Sequence, residues 1–252
     1  MKNPDQENLK SLGIDGIYVI HALKGYELQG EMVKKLFAEN NLEFKFVTDG
    51  DPARFTDSLL SKYFDPVVHE TQSEGIISCT LNHILSYVEM RGNGNKYALI
   101  FENDPYFIGN FNLKIRDIIR EADELDPGFI ISLENTTLQF PSFYRRKRGK
   151  HLYEAGTGRM AGAYLIDSTA AGAALEDLKT NKCRDIIDWW HNDLIKRGII
   201  RMYWAHPPLV EQCSHNGKMS STISSKGTGW KRRIRWNLQK FYKMYILQWF
   251  KF

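Results

Sequence analysis

Segments with the pattern of buried strands alternate along this chain with segments of helical spacing, and this alternation constrains the fold most strongly. Apolar segments typical of strands cover residues 14–21, 44–47, 97–101, 129–132 and 160–166. Helical spacing of apolar residues covers 26–40, 74–90, 111–125 and 169–178. Such an alternation favours an α/β fold, with a mostly parallel sheet covered by helices on both faces.

Basic residues are concentrated at the end of the chain. The net charge is +4, yet residues 230–252 contain seven Lys and Arg and no Asp or Glu, which leaves 27 basic and 30 acidic residues elsewhere. Residues 214–229 are rich in Ser, Thr and Gly, as flexible linkers are. We therefore predict a globular domain over residues 1–213, a linker over 214–229 and a basic tail over 230–252.

The basic tail has the spacing of an amphipathic helix and is too polar to span a bilayer. Its apolar residues recur every three or four positions: Trp230, Ile234, Leu238, Phe241, Tyr245 and Trp249. Basic residues fall largely elsewhere on the helix: Lys231, Arg232, Arg235 and Lys243. A basic helix with Trp and Phe on its apolar side is typical of the interface of an anionic membrane. The alternative is a helix that docks on the domain or on a second subunit.

The cysteines and the first residues bear on the compartment. Cys79, Cys183 and Cys213 show no CxxC spacing, and their odd number argues against a disulfide framework, so we expect a reducing compartment. The polar start MKNPDQENLKSLG lacks the apolar segment of a signal peptide. A run of about 18 apolar residues, as in a spanning helix, is also missing. We expect a cytoplasmic protein, peripheral on the inner face of the cytoplasmic membrane.

Two acidic residues follow the predicted strand over residues 97–101. Open α/β sheets bind ligands at the carboxyl ends of their strands, where Glu102 and Asp104 lie. Hard divalent cations prefer carboxylate and phosphate oxygens, so the two acids are candidates for binding a metal ion and a nucleotide diphosphate. The alternative is a helix cap and a solvated turn, which Pro105 supports.

Several segments appear in the same order as the motifs of a known family. The helix before the strand contains a Gly, a Cys and a His, and the strand ends in two acids around one amide: Gly75, Cys79, His83, Glu102, Asn103 and Asp104. RMAGAYLIDSTAAGAAL and IIDWWHNDLIKRGIIRMYWAHPPLVEQ follow. Together, residues 14–213 resemble glycosyltransferase family 25, the lipopolysaccharide and collagen-type galactosyltransferases. Asn82 replaces the family's Ser, Asn103 replaces its middle acid, and the opening IYVIHALKGYELQ lacks its usual Asn and Arg.

The resemblance implies a GT-A fold with a Rossmann-like sheet, and the use of Mn²⁺, or Mg²⁺, with a UDP-sugar. By this match, Asp104 binds the metal. Glu102 contacts the nucleotide sugar and is a second ligand of the metal. His83 is expected beside the donor site, and the alternative is a helix histidine satisfied by its neighbours. Asp49 precedes Gly50 after the second strand, where the family has a similar Asp-Gly, and either contacts the nucleotide or forms a plain turn.

The family inverts configuration at the anomeric carbon, and a single displacement needs a base near the acceptor hydroxyl. Asp188 matches the acid of the family's Val-Asp segment and is the candidate base. Trp189 and Trp190 would raise its pKa by desolvation or stack on a sugar. The alternative is a helix N-cap followed by core tryptophans, and Asp185 and Asp193 are competing candidates.

A histidine is the candidate for the third metal ligand. GT-A enzymes often take one from a late loop, and His215, in Ser-His-Asn-Gly, resembles the His-Gly-Asn-Gly of collagen-type members. His206 before Pro207 and an ordinary linker histidine are the alternatives. Gln212 matches the family's Gln, for which a structural role is the other reading.

The predicted function follows from the resemblance: transfer of a hexose, galactose by family default, from a UDP-sugar to lipopolysaccharide or another surface glycan. Two other classes remain. A non-catalytic glycan-binding or partner-binding protein could share the fold. Nucleic-acid binding could explain the basic segments with interleaved aromatic residues, but the acidic balance of residues 1–229 argues against nucleic acid as a partner.

Overall fold

The computed structural model describes residues 9–216 and 230–250. The nine strands of this part are β1 (Ile14–Ile20), β2 (Lys45–Val47), β3 (Tyr97–Phe101), β4 (Pro105–Phe107), β5 (Phe129–Ser132), β6 (Leu152–Ala155), β7 (Ala163–Asp167), β8 (Arg201–Ala205) and β9 (Val210–Gln212). All five strands predicted from the sequence are present. The sequence patterns did not indicate the other four, which are β4, β6, β8 and β9.

Seven of these strands form one sheet in the order β2-β1-β3-β7-β5-β8-β6. Strands β1, β2, β3, β5 and β8 run in one direction, whereas β6 and β7 run in the other. The remaining two strands, β4 and β9, pair antiparallel in a small second sheet. The fold is therefore α/β as predicted, with a mixed sheet in which most strands share one direction.

Helices cover both faces of the large sheet. The helices of the described residues are α1 (Glu27–Glu39), α2 (Asp57–Tyr63), α3 (Val67–Thr71), α4 (Glu74–Gly92), α5 (Phe111–Ala122), α6 (Ser168–Asp177), α7 (Ile187–Lys196), α8 (Cys213–Asn216) and α9 (Trp230–Phe241). Short 3₁₀ turns occupy Leu9–Leu12, Pro52–Arg54, Phe143–Arg145 and Leu247–Phe250, and a π-helical segment occupies Tyr242–Ile246.

Two hydrophobic cores lie on opposite faces of the sheet, and β3 contributes to both. Ala98 and Ile100 belong to the core under α4, α6 and α7, while Leu99 and Phe101 belong to the core under α1 and α5. Successive side chains of a strand point to opposite faces, so a central strand covered on both sides must be apolar throughout. This burial explains the continuous apolar run before Glu102.

The tail packs on the domain in this structure. Lys240 in α9 forms an ion pair of 2.5 Å with Glu211, and Trp249 stacks on Phe143 with ring centroids 3.9 Å apart. Arg146 donates a hydrogen bond of 2.8 Å to the carbonyl oxygen of Met244. The tail thus adopts the docked arrangement that was the alternative to membrane attachment, while much of its apolar surface stays exposed.

The predicted linker is only partly covered by the structure. Residues 214–216 belong to α8, and residues 217–229 lie outside the described part of the chain. In the ranges that the structure describes, no helix is both long and apolar enough to cross a membrane.

Candidate active site

A recess opens at the carboxyl ends of β1 and β3, beside the first half of α4. Its volume is about 80 Å³. The residues that line it are Ile20, His21, Ala22, Tyr26, Gly75, Ser78, Cys79, Asn82, Glu102 and Asn103. Ligands of open α/β sheets bind at this edge, so the position agrees with the edge at which the sequence places the acids.

Glu102 is the acidic residue of this recess, and hydrogen bonds fix it at the end of β3. Its backbone N–H donates to the carbonyl oxygen of Gly162 over 2.9 Å. Its carboxylate accepts a hydrogen bond of 3.0 Å from Gln212 Nε2, and Thr136 Oγ1 donates 3.1 Å to Gln212 Oε1. The Glu102 side chain is 30% exposed. Gln212 therefore orients this carboxylate while leaving it accessible.

Several carboxyl groups converge on Glu102. Burial raises the pKa of Glu102 well above its usual value. Three further negative charges raise that pKa in the same direction, those of Asp104, Asp188 and Glu134. The structure thus brings together three acids that the sequence singled out, and it adds Glu134. Like charges this close favour either protonation or a bound cation.

Asp188 lies in the first turn of α7, one residue after its start at Ile187. It is not the N-cap, because Ile186 occupies that position. Its carboxylate accepts a hydrogen bond from the backbone N–H of Ala161, and its Oδ1 is buried without a partner among the described residues. Burial raises the pKa of Asp188 to about 6. A carboxylate with this pKa can accept a proton near neutral pH.

The competing acids lie elsewhere on α7 and before it. Asp193 pairs with Arg197 over 2.7 Å, and Asp185 is exposed. Both line a surface cavity together with Trp190, and neither is among the charges that raise the pKa of Glu102, whereas Asp188 is. Trp190 is buried, whereas Trp189 is 63% exposed and available for stacking. The arrangement favours Asp188 over its two neighbours as the base.

Asp104 connects the end of β3 to the segment after β9. Its Oδ2 accepts a hydrogen bond of 2.9 Å from Ser214 N, and its carbonyl oxygen accepts one of 2.8 Å from Cys213 N. These bonds hold the start of α8 next to Asp104, at the edge of the sheet where β3 ends. His215 is the next residue of α8, and its side chain lies outside the described part, so its role as a ligand stays a prediction.

His83 is fully buried beside Glu102 and does not itself line the recess. Its Nδ1 is 2.8 Å from Tyr164 Oη, and its Nε2 is 4.0 Å from Glu102 Oε1. That Nε2 is buried and has no hydrogen-bond partner in the described ranges. Burial lowers the pKa of His83 well below its usual value, with a smaller effect from His191, so the ring is neutral. The alternative of a fully satisfied helix histidine therefore holds for only one of its two nitrogens.

The other two sequence candidates lie away from the recess lining. Asp49 is exposed and forms an ion pair with Arg54. His206 is buried between Phe140 and Tyr153, with ring centroids 6.0 Å from each. The structure does not bring either residue to the acids at the end of β3, so Asp49 as a nucleotide contact stays a prediction.

The donor set at this edge suits a divalent cation. Glu102 and Asp104 supply the hard oxygen ligands that Mn²⁺ and Mg²⁺ prefer. The negative charges of Asp104, Asp188 and Glu134 raise the pKa of Glu102 in addition to the larger effect of burial, and a bound cation would offset them. One group of three metal-ligating side chains within 4.8 Å of one another occurs in the described part of the chain, and it consists of Cys79, His83 and Glu102.

Sequence reasoning missed two buried charged residues, Glu134 and Arg159. Arg159 is 0% exposed and donates hydrogen bonds to the carbonyl oxygens of Ser132 and Ala205 over 2.7 and 3.2 Å. Burial lowers the pKa of Arg159 to about 9 and raises that of Glu134 to about 8, while their mutual attraction opposes both shifts. An Arg and a Glu in a chain with ordinary charge content give no local signal of burial, because both are usually exposed.

Comparisons with known proteins show which family the chain is similar to. Residues 15–185 match the model of glycosyltransferase family 25, described as an LPS biosynthesis protein family. The lipooligosaccharide biosynthesis protein lic2B of Haemophilus influenzae is 28% identical over 125 residues, which are 49% of this chain and 46% of that protein. The chain thus matches about half the length of this curated relative.

Two solved structures show only a distant likeness. A glycosyltransferase involved in the glycosylation of the major capsid of PBCV-1 is 11% identical, with a TM-score of 0.40 over 88% of this chain and 99% of that one. A Bacillus anthracis protein described as a glucose-1-phosphate thymidylyltransferase, in complex with a sucrose, is 14% identical. Its TM-score is 0.41 over 90% of this chain and 78% of that one.

Proposed function

The chain belongs to glycosyltransferase family 25, and from this membership we propose that it transfers a hexose, expected to be galactose, from a UDP-sugar to lipopolysaccharide or another surface glycan. The observation that carries the proposal is the recess at the carboxyl ends of β1 and β3, which Glu102 lines, together with the charges of Asp104 and Asp188 that act on Glu102. This edge is where α/β sheets bind nucleotides. The GT-A fold and inversion at the anomeric carbon come with the family.

Asp104 and Glu102 would hold the divalent cation, Mn²⁺ or Mg²⁺, with His215 as the candidate third ligand. The cation would neutralise the charge that develops on the departing UDP. Gln212 holds one oxygen of Glu102 and leaves the other directed toward His83. Glu102 is thereby kept in one orientation before the donor arrives, which limits the entropy lost on binding.

Asp188 would take the proton of the acceptor hydroxyl. Its pKa of about 6 leaves it ionised at neutral pH while keeping it basic enough to accept a proton. The pKa is raised because the side chain is buried. In a single displacement the acceptor oxygen attacks the anomeric carbon from the face opposite UDP, so configuration inverts.

The tail supports a further part of the proposal, which is attachment to an anionic membrane. Exposed apolar residues follow helical spacing along α9 and the segment after it: Ile234 (48%), Leu238 (65%), Phe241 (57%) and Tyr245 (51%). Arg233 and Arg235 are exposed beside them. An apolar stripe with flanking cations fits the membrane interface, where lipid-linked acceptors are found. We infer a cytoplasmic protein, peripheral on the membrane.

A donor screen by thermal unfolding tests the binding part of this proposal. A ligand that binds only the native state raises the unfolding temperature. With Mn²⁺ present, UDP-galactose is expected to raise it more than GDP-mannose or CMP-sialic acid at equal concentration. Equal shifts for all donors, or none, would favour a non-catalytic protein on this fold.

A further inference from the structure

Three side chains of different chemistry meet at the bottom of the recess. Cys79 and His83 are four residues apart on α4 and therefore point from the same face of that helix. Glu102 follows directly after β3, against which α4 packs. The thiol sulfur, an imidazole nitrogen and a carboxylate oxygen all lie within 4.8 Å of one another. We call these residues the Cys79–His83–Glu102 group.

The unpartnered nitrogen of His83 points to a ligand. His83 is 0% exposed, and its Nε2 has no hydrogen-bond partner in the part of the chain that is described. Its other nitrogen, Nδ1, is 2.8 Å from Tyr164 Oη, and this hydroxyl oxygen is in turn 2.8 Å from Tyr87 Oη. An outer hydrogen bond of this kind fixes ring orientation and tautomer in metal-bound histidines. With the proton on Nδ1, the lone pair of Nε2 faces Glu102.

The ligand types select the metal. A thiolate, an imidazole and a carboxylate suit Zn²⁺, whereas Mn²⁺ and Mg²⁺ prefer oxygen ligands. Bond lengths of about 2.0–2.3 Å around tetrahedral Zn²⁺ place neighbouring ligand atoms roughly 3.3–3.8 Å apart. His83 Nε2 and Glu102 Oε1, which are 4.0 Å apart, would have to approach by about half an ångström, and the pairs with Cys79 Sγ, within 4.8 Å, by up to about one. Glu102 can move toward the other two ligands, because its side chain is partly exposed.

We propose that Cys79, His83 and Glu102 form a three-ligand Zn²⁺ site at the floor of the recess, with the fourth position open to the recess. Cys79 and Glu102 both line that recess, so the ion has a route from solvent. Gln212 holds the second oxygen of Glu102 and acts as an outer partner of the site. This site differs from the proposed Mn²⁺ or Mg²⁺ site of Glu102 and Asp104, because it uses sulfur and nitrogen ligands and does not include Asp104.

Zn²⁺ at this position would compete for Glu102 with the cation and donor of sugar transfer. That consequence rests on the proposed function, whereas metal binding itself does not. Zn²⁺ is therefore expected to inhibit transfer in the wild-type protein. The competition gives the site a regulatory character, since Gln212 holds Oε2 of Glu102 and both metals would have to use Oε1.

Cobalt substitution in the metal-free full chain tests the site directly. Co²⁺ bound by a thiolate in a tetrahedral site shows a near-ultraviolet sulfur-to-metal charge-transfer band and intense visible bands. Wild-type protein should show both at one equivalent of Co²⁺, and Zn²⁺ should bleach them. Cys79→Ser should lose the sulfur band. Cys183→Ser is the matched control, because that buried thiol donates to Asp185 O away from the recess, and it should keep the band.

A second variant keeps the test decisive if Cys79→Ser does not fold. Glu102→Gln retains the sulfur and the imidazole and should weaken Co²⁺ binding at least about tenfold, by loss of one ligand charge. Absence of the sulfur band in wild-type protein would overturn the proposal. A band that survives Cys79→Ser, or Co²⁺ affinity unchanged in Glu102→Gln, would also overturn it. No donor or acceptor is present, so these outcomes are independent of whether the protein transfers sugar.

Discussion

Gln212 Nε2 donates a hydrogen bond of 3.0 Å to Glu102 Oε2, and the Gln212 side chain occupies the space next to Gly162. A Cβ at Gly162 would lie 1.9 Å from Gln212 Nε2. The orientation of Glu102 therefore depends on a glycine in the turn before β7 and on a glutamine in β9. Gly162 and Gln212 are distant from Glu102 in the sequence, and only the fold brings them next to its side chain.

Gly162→Ala should lower kcat/KM for sugar transfer by roughly tenfold or more, because the new methyl group displaces Gln212 and leaves Glu102 without its donor. A lost hydrogen bond to a charged group is worth about 1.5–3 kcal/mol. Gln212→Ala should have a similar effect, and the double variant should be no worse than either single variant.

Gly156→Ala is the matched control for this cycle, because a Cβ at that glycine meets nothing within 4 Å. It should behave as wild type in steady-state kinetics. Additive losses in the Gly162→Ala and Gln212→Ala double variant would contradict a shared mechanism through Glu102.

The sequence predicted the elements that are defined by local pattern. The continuous apolar run of β3 revealed a strand buried on both faces, and so located Glu102 and Asp104 at its end. The reversed direction of β6 and β7 could not be read from the sequence, because strand direction depends on pairing between distant segments. Local alternation of strands and helices gives no information on such pairing.

The sequence likewise indicated only part of the site, because it shows local motifs but not which distant segments lie next to one another. Glu102, Asp104 and Asp188 were singled out by the resemblance, and in the structure the charges of Asp104 and Asp188 act on Glu102, while their roles stay predictions. Glu134 and Arg159 gave no signal, since their burial follows from the neighbours of β5 and β8 in the sheet. Asp49 had a suitable position after β2, but its side chain pairs with Arg54 at the surface.

Asp188→Asn should abolish most transfer while leaving donor binding intact, because it removes the base with little change of volume. General-base catalysis contributes about 10²–10⁴-fold in rate, so kcat should fall within that range. Asp185→Asn, at an exposed acid three residues earlier, is the matched control and should retain wild-type kcat. Transfer by Asp188→Asn within a few-fold of wild type would show that another group takes the proton.

The pH dependence of transfer should report the same carboxylate. Burial raises the pKa of Asp188 to about 6, so the base becomes protonated and inactive as the pH falls through that value. In wild-type protein kcat/KM should fall about tenfold per unit below pH 6. The residual activity of Asp188→Asn should lack this acidic limb. An identical limb in both proteins would assign the titration to a different group.

Glu134→Gln should change how the free energy of unfolding depends on pH. Burial raises the pKa of Glu134 in the folded protein to about 8, above its unfolded value near 4.5. The group therefore stabilises the fold fully below pH 4.5, and this contribution is lost as the pH rises toward 8. The slope amounts to at most about 1.4 kcal/mol per pH unit.

The measurement is the difference in unfolding free energy between Glu134→Gln and wild type, by urea denaturation at pH 5 and pH 8. The difference should become more favourable to the variant at the higher pH, whatever its sign at pH 5. A difference that is constant across this range would show that Glu134 ionises normally in the folded protein.

Substitutions on the exposed side of the tail should weaken attachment to anionic vesicles. Leu238→Ser with Phe241→Ser removes two apolar side chains that are 65% and 57% exposed, so the fold should tolerate the change. Vesicle affinity should fall at least about tenfold, given about 1.5–3 kcal/mol for each fully buried apolar side chain. Flotation at high salt should retain the apolar part of binding in wild-type protein.

Arg233→Gln with Arg235→Gln should show the opposite salt dependence, because it removes exposed cations and keeps the apolar stripe. Its vesicle binding should be reduced at low salt and close to wild type at high salt. Both doubly substituted proteins should unfold at the wild-type temperature. Wild-type flotation of both would show that the tail serves only to dock on the domain.

The central claim is metal-dependent sugar transfer at the acidic edge, and release of UDP measures it most directly. With UDP-galactose, a lipopolysaccharide acceptor and Mn²⁺, wild-type protein should release UDP in step with galactosylated product. Removal of the metal by EDTA should stop the reaction, and restored Mn²⁺ should recover it. Asp104→Ala should show less than about one per cent of wild-type turnover, since it removes a metal ligand that stabilises the leaving group. Turnover in Asp104→Ala equal to wild type, with the same dependence on Mn²⁺, would contradict the account.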